Sequence, residues 1–238
     1  MAINSRLFDY YHEDLKLVGE VAWNDEHGPR PAVLVAPTWA GRTSFEGNKA
    51  HMLAEMGYVG IAIDLYGDGK TGVGTQECSA LMTSVVSDRA NLQARMAAAV
   101  TAARALPETA DGPLAAIGFC FGGLCVLDLA RAGGDVAGVV SFHGILGAPD
   151  NLPEPQISAR IMVLHGYDDP MADPDAMRAF CDEMTRAGCD WQLHAYGQTT
   201  HAFTNPNAND PDFGTVYSAR ATDRSFASLR GFLTEVLG

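Results

Sequence analysis

The sequence has no hydrophobic run long enough to cross a membrane and no cysteine pattern typical of a metal or disulfide site. It contains no stretch of about 18 apolar residues, and its first residues, MAINSRLFDYYHEDLK, lack the basic and then apolar order of a signal peptide. Five cysteines are an odd number, and none forms a C-x-x-C pair. We therefore expect a cytoplasmic protein with reduced thiols.

Basic residues are scarce: 16 lysines and arginines stand against 29 aspartates and glutamates, which gives a formal charge of −13. The electric field of so negative a protein repels nucleic acids and anionic membranes, so neither is an expected partner. No internal repeat, low-complexity tract or linker-like segment divides the 238 residues, which are enough for one core. We expect a single domain over residues 1–238, a monomer or homodimer that acts on a small molecule.

Short apolar runs alternate with segments of helical spacing along the chain. The predicted strands are 15–23, 31–37, 58–64, 114–118, 136–143, 160–165 and 190–196. The predicted helices are 44–56, 76–106, 122–131, 174–187 and 215–236. The first strand is expected to pair antiparallel near the sheet edge. This alternation predicts an α/β protein with a mostly parallel sheet, whose functional residues gather at the carboxyl ends of the strands.

A cysteine framed by glycines stands where a predicted strand turns into a predicted helix. The segment Gly118-Phe-Cys-Phe-Gly-Gly123 follows the pattern G-x-S-x-G of a nucleophile elbow, with sulfur in place of oxygen. Gly118 and Gly122 would make room in the turn, and Gly123 would let the helix approach the sheet. The positive end of the helix and a neighbouring imidazolium would favour a thiolate, whereas burial would oppose it. Cys120 is therefore the predicted nucleophile.

A nucleophile of this kind needs a base and a carboxylate that orients the base, in the chain order nucleophile, acid, histidine. The strand 160–165 is followed by Gly166 and two aspartates, Asp168 and Asp169, at the place where an orienting carboxylate would emerge. His201 follows the next strand, in a loop. It is the predicted base.

Two other histidines, His143 and His165, lie near predicted strand ends but precede the loop where the base is expected. Both are predicted to be hydrogen-bonded supporting residues. The remaining histidines have no supporting pattern.

Four motifs together resemble the dienelactone hydrolase family, from about Leu17 to the end of the chain. They are Gly118-Phe-Cys-Phe-Gly-Gly123, Asp64-Leu-Tyr-Gly67, His165-Gly-Tyr-Asp-Asp-Pro170 and His201-Ala-Phe203. The resemblance implies an α/β-hydrolase fold, with a mostly parallel central sheet flanked by helices on both faces. It also implies a carboxymethylenebutenolidase-like hydrolase of a small ester or lactone. The family's G-x-x-D spacing selects Asp169 for the catalytic triad, with Cys120 and His201, and no metal or organic cofactor is expected.

Two backbone amides are expected to stabilise the oxyanion. The first is that of Phe121, directly after the nucleophile, and the resemblance assigns the second to Trp39. The chain also departs from the family pattern in two places. Thr38 replaces a glutamate that contacts the resting thiol, and Asn205 replaces an arginine that holds the substrate carboxylate in enzymes acting on dienelactone. Both departures argue against an anionic lactone as the substrate.

The predicted substrate pocket is lined by Thr38, Tyr66, Tyr167, Phe203 and Asn205. Arg42, Arg89 and Arg95 are candidates for a replacement cation, although the sequence does not place them. Two other functions stay open: an esterase or thioesterase for small acyl groups with the same triad, and a non-catalytic thiol sensor or small-molecule binder on the same fold.

Overall fold

A computed structural model describes residues 3–238 of the chain, apart from the side chain of His27. Eight strands form the main sheet: β1 (Ile3–His12), β2 (Leu15–Asn24), β3 (Ala32–Ala36), β4 (Val59–Ala62), β5 (Ala115–Phe119), β6 (Gly138–Phe142), β7 (Arg160–Gly166) and β8 (Trp191–Tyr196). Their order across the sheet is β1-β2-β4-β3-β5-β6-β7-β8. The pairs β1–β2 and β2–β4 are antiparallel, and every later pair is parallel.

Helices cover both faces of this sheet. They are α1 (Ser44–Glu55), α2 (Gly74–Val86), α3 (Arg89–Arg104), α4 (Phe121–Arg131), α5 (Pro174–Ala187) and α6 (Ala219–Leu237). One apolar core packs side chains of α3, α4 and α5 against the sheet, and a second packs the sheet against α6 and part of α1. Every residue of β3, β5 and β6 is buried, because these strands are covered on both sides. The predicted fold class is therefore confirmed.

The edge strand β1 was not among the strands predicted from the sequence. Most of its side chains are exposed or half-buried, so the sequence INSRLFDYYH shows no clean apolar alternation. The strand predicted at 15–23 is antiparallel as expected, but it lies second from the edge because β1 pairs along its whole length.

The helix predicted over 76–106 is two helices. The first ends at Val86, and the second begins after Asp88, whose carboxylate accepts a hydrogen bond from the Asn91 amide. Continuous apolar periodicity concealed this break, although an aspartate before a helical segment is a typical N-cap.

The last helix also begins later than predicted, at Ala219, because the Ser218 side chain accepts a hydrogen bond from the Ala221 amide. Thr215 and Val216, predicted in its first turn, form instead the strand β10 (Thr215–Val216), which pairs with β9 (Asn209–Asp210) in a short hairpin. None of the helices between residues 3 and 238 has both the length and the apolar character needed to cross a membrane.

Candidate active site

Cys120 occupies the sharp turn between β5 and α4. Its backbone has φ 56° and ψ −119°, a positive φ that is costly for a residue with a side chain. A Cβ atom on Gly118 would lie 2.0 Å from the Gly122 carbonyl oxygen, and one on Gly122 would lie 2.3 Å from the Ala36 carbonyl oxygen. Both glycines are therefore required for the turn to close.

Asp169 and His201 are joined by a hydrogen bond. His201 Nδ1 lies 2.7 Å from Asp169 Oδ2, and both side chains are buried. The other carboxylate oxygen accepts from the Met171 amide at 2.8 Å, which fixes the orientation of the carboxylate. Asp168 is exposed. Of the two adjacent aspartates, the structure thus brings only Asp169 to the histidine.

His201 is held on both sides of its backbone by the β9–β10 hairpin. Its amide donates to the Gly214 carbonyl at 3.0 Å, and its carbonyl accepts from the Val216 amide at 3.2 Å. These bonds fix the loop after β8, so the imidazole is presented by a braced segment.

The charge state of His201 follows from its neighbours. Burial lowers its pKa, but the hydrogen bond to Asp169 and the interaction with the Cys120 thiol outweigh burial and raise the pKa to about 10. Its Nε2 atom is buried and makes no hydrogen bond of normal geometry to any residue from 3 to 238. The free nitrogen and the thiol are therefore neighbours, and a proton transferred between them would be held well by the imidazole.

The amides of Trp39 and Phe121 donate no hydrogen bond to any acceptor in the described part of the chain. The Trp39 carbonyl accepts from the Tyr66 hydroxyl at 2.9 Å, and the Tyr66 ring stacks on that of Phe121 with centroids 6.2 Å apart. Tyr66 therefore contacts both segments that carry these free amides.

Two buried carboxylates hold the loops around these amides. Asp64 accepts from four backbone amides, those of Val18, Tyr66, Gly67 and Gly69, at 2.7–3.1 Å. Glu46 accepts from the Thr38 amide at 2.9 Å and also caps α1 through Thr43. The role of Glu46 was not foreseen, although the capping-box spacing Thr43-x-x-Glu46 is visible in the sequence.

The profile of the dienelactone hydrolase family matches residues 18–237, which is nearly the whole chain and includes all the residues of this site. The chain belongs to the dienelactone hydrolase family. Its family and fold make it a hydrolase of carboxylic esters or lactones.

Three relatives illustrate how far this similarity extends. A dienelactone hydrolase-like promiscuous phosphotriesterase from metagenomic libraries is 34% identical, with a TM-score of 0.93 and 100% of both chains covered. The Caenorhabditis elegans protein K02A2.1, named as uncharacterized, is 36% identical over 155 residues, which are 63% of this chain and 98% of that protein. A Bradyrhizobium protein named as a probable 2-oxo-3-(5-oxofuran-2-ylidene)propanoate lactonase is 28% identical over 186 residues, 74% of each chain.

The residues predicted to line the pocket of this dienelactone hydrolase family member do not share one surface. Phe203 is completely buried, with its ring against His143 and Tyr196, so its assignment to an open pocket is wrong. It was misplaced because aromatic residues near strand ends are equally typical of packing. Tyr167 is half-exposed, and Thr38 lies in the loop held by Glu46.

Asn205 lies apart from these residues, at a cleft of about 260 Å³ between the start of α1 and the loop after His201. The ammonium of Lys49 lines the same cleft and lies 5.0 Å from the centroid of the Phe45 ring. The position of the family arginine is therefore next to a lysine in this chain.

The three arginines considered as replacement cations are engaged elsewhere. Arg42 donates to the Val18 carbonyl at 2.7 Å, and Arg95 donates to the Leu65 carbonyl at 2.6 Å. Arg89 forms a two-point ion pair with the buried Asp128. None of them is available to hold a substrate carboxylate in this arrangement.

An aromatic pair, here called the mouth of the site, joins the loop of Trp39 to the hairpin that braces His201. The ring of Trp39 stacks on that of Phe213, with centroids 6.3 Å apart and planes inclined by 22°. Phe213 is half-exposed and stands in the turn of the hairpin that braces His201. No sequence signal marked it, since strands of two residues are too short to show periodicity.

Proposed function

We propose that the protein is a cysteine hydrolase of small carboxylic esters and lactones. In this proposal Cys120 is the nucleophile, His201 is the general base and acid, and Asp169 orients the imidazole. The observation that carries the proposal is the buried hydrogen bond of 2.7 Å between Asp169 and His201, together with the interaction of this imidazole with the Cys120 thiol at the strained elbow. This arrangement matches the requirements of an activated nucleophile.

The first half of the reaction forms a thioester. With the thiol proton held on His201 Nε2, the thiolate sulfur attacks the carbonyl carbon of the ester or lactone. The tetrahedral intermediate collapses, the carbon–oxygen bond to the alcohol breaks, and the leaving alkoxide takes the proton from Nε2. A lactone would release an alcohol that stays attached to the acyl chain.

The second half releases the acid. Nε2 takes a proton from water, and the hydroxide attacks the thioester carbon. Collapse of this second intermediate breaks the carbon–sulfur bond, and the thiolate recovers the proton from the imidazolium. The hydrogen bond that His201 Nδ1 donates to Asp169 supports each protonated state of His201, in keeping with the raised pKa of about 10.

The free amides of Trp39 and Phe121 are proposed to form the oxyanion hole. Each of them lacks an acceptor within residues 3–238, so both can donate to the negative oxygen of either intermediate. Removal of one such donor typically costs about 3 to 4 kcal/mol in the transition state. The contacts of Tyr66 with both segments would keep the donors in place before substrate arrives.

The substrate side of the proposal is a small uncharged ester or lactone. None of the three candidate arginines is free to bind a carboxylate, and Asn205 occupies the position of the family arginine. The ammonium of the neighbouring Lys49 is engaged by the rings of Phe45 and Phe226. The full-length similarity to a promiscuous phosphotriesterase makes a neutral phosphotriester a reasonable second class of substrate. Five free cysteines are in keeping with a reducing compartment such as the cytoplasm.

The test compares hydrolysis of 4-nitrophenyl acetate, a five-membered lactone, a thioester and diethyl 4-nitrophenyl phosphate. We expect turnover of at least one of these by the wild type and its loss in Cys120→Ala and His201→Ala. Cys181→Ala is the matched control, because this half-buried free cysteine lies on α5 outside the site. Activity retained in Cys120→Ala would refute the cysteine mechanism, whereas stoichiometric alkylation without turnover would favour a thiol sensor.

A further inference from the structure

A second buried histidine lies directly behind the nucleophile. His143 follows β6 and has a φ of 38°, an unusual value for a residue with a side chain. Its Nδ1 atom lies 3.2 Å from the Cys120 amide nitrogen, and its Nε2 atom lies 2.8 Å from Thr204 Oγ1. The ring therefore connects the nucleophile elbow to the loop that carries His201.

The hydrogen bonds define the tautomer of His143. Because the Cys120 amide can only donate, Nδ1 must be the acceptor, and the single ring proton of the neutral form lies on Nε2. Nε2 then donates to the Thr204 hydroxyl. Thr204 is buried as well, so water does not compete for this bond.

The surroundings keep His143 uncharged. Burial is the main cause of a pKa well below the usual value, and His201, His165 and Lys49 lower it further. Its ring also makes an edge contact with that of His201, at 5.1 Å between centroids. A positive charge on His143 would therefore oppose the protonated state of His201 and would remove the acceptor of the Cys120 amide.

We propose that His143, with its tautomer fixed by the Cys120 amide and its ring anchored by Thr204, is a positioning residue that holds both Cys120 and His201 in their reactive arrangement. This inference rests on the proposed function, because it assigns His143 a role relative to the cysteine nucleophile. Through Nδ1 it shares the Cys120 amide with the Phe142 carbonyl, 3.1 Å away, and so fixes the peptide plane that precedes the thiol. Through its ring edge it limits the tilt of His201.

The expected kinetic signature is a change in kcat with little change in KM, since His143 is buried and need not touch substrate. Small displacements of reacting groups can cost up to about 10²-fold in rate. His143→Phe keeps a flat ring but removes both hydrogen bonds, whereas His143→Gln can still accept at one atom and donate at another.

The experiment measures kcat, KM and their pH dependence for these two variants and for the pair Thr204→Val and Thr204→Ser. We expect a loss in kcat of about tenfold or more for His143→Phe, a partial rescue in His143→Gln, and KM within about twofold of the wild type. Thr204→Ser should behave as wild type and Thr204→Val should lose activity, because only serine keeps the acceptor. His51→Gln, on α1, serves as the control histidine variant.

A second readout does not depend on activity. The ¹⁵N chemical shifts of the His143 ring should show a neutral imidazole with its proton on Nε2 already at pH 6.5, the usual histidine pKa, and above it. A charged ring or a proton on Nδ1 in that range would overturn the proposal, as would wild-type kcat and pH profile in folded His143→Phe. If His143→Phe does not fold, wild-type kinetics in Thr204→Val would overturn it equally. Failure of the cysteine mechanism would appear separately, as activity retained in Cys120→Ala.

Discussion

The reacting groups and the mouth of the site lie at the same edge of the sheet but are held very differently. Asp169, His143 and His201 are almost completely buried, and each has at least one hydrogen bond to a neighbour in the group or in the adjoining loops. At the mouth, Phe213 is half-exposed. The positions of the buried side chains are thus fixed by many contacts, and those of the exposed side chains by few.

The two regions meet different functional requirements. A proton relay requires fixed distances, so its residues need partners that lock their rotamers. A surface that receives the variable part of a substrate needs only shape and apolar area. In the proposed function, the buried region therefore carries the reaction, and the exposed region selects which esters or lactones are accepted.

The largest effect is expected from the carboxylate of the buried region. Asp169→Asn should keep the fold but lower kcat by about 10³- to 10⁴-fold, because an amide no longer favours the His201 tautomer with its proton on Nδ1. The same variant should lower the pKa of His201 from about 10, since the bond to Asp169 is one of the causes of the rise. Steady-state kinetics and an NMR titration of His201 measure the two effects.

Asp168→Asn is the matched control, because Asp168 is the exposed neighbour in the chain. It should stay within about twofold of the wild type. If kcat fell equally in both variants, the hydrogen bond between Asp169 and His201 would not be the reason why Asp169 matters for activity.

The second largest effect is expected at the nucleophile elbow, and it tests whether the elbow is as tightly packed as its contacts indicate. Gly122→Ala should lower the free energy of unfolding by about 3 kcal/mol, because the new Cβ would lie 2.3 Å from the Ala36 carbonyl oxygen. Gly231→Ala, in the exposed part of α6, has no atom within 4 Å of its new Cβ and should raise stability by up to about 1 kcal/mol. Urea unfolding of both variants measures the difference, and equal stabilities would contradict the close approach of β3 and α4.

The contrast between the buried and the exposed region also explains how much of the fold and of the site can be predicted from the sequence. The glycine pair around Cys120 and the order of Cys120, Asp169 and His201 were visible, because a strained turn and a relay demand particular residue types at particular spacings. The core strands were visible because burial on both faces leaves continuous apolar runs. The edge strand β1 was not, since its exposed side chains carry no periodic signal.

The mouth was the least predictable part of the site. Phe203 and Phe213 are both phenylalanines in the loop and hairpin region after β8, yet one is completely buried and the other half-exposed. Their difference depends on contacts with residues distant in sequence: Phe203 packs on His143, and Phe213 stacks on Trp39. Residue type alone does not encode such contacts, so the sequence does not distinguish the buried phenylalanine from the half-exposed one.

The smallest effect is expected at that aromatic pair, and it tests whether the two regions are separate. Phe213→Ala should raise KM for 4-nitrophenyl esters about three- to tenfold, since an aromatic contact is worth about 0.5 to 1.5 kcal/mol. It should leave kcat within about twofold, because the backbone hydrogen bonds of His201 with Gly214 and Val216 do not involve the phenyl ring. Tyr11→Ala, an exposed aromatic on the edge strand β1, is the control.

An alkyl ester of similar size should show a smaller rise in KM in Phe213→Ala, since it cannot stack on Trp39. If kcat falls with KM in Phe213→Ala, the hairpin positions the base through its side chain, and the mouth then takes part in the reaction as well as in the choice of substrate.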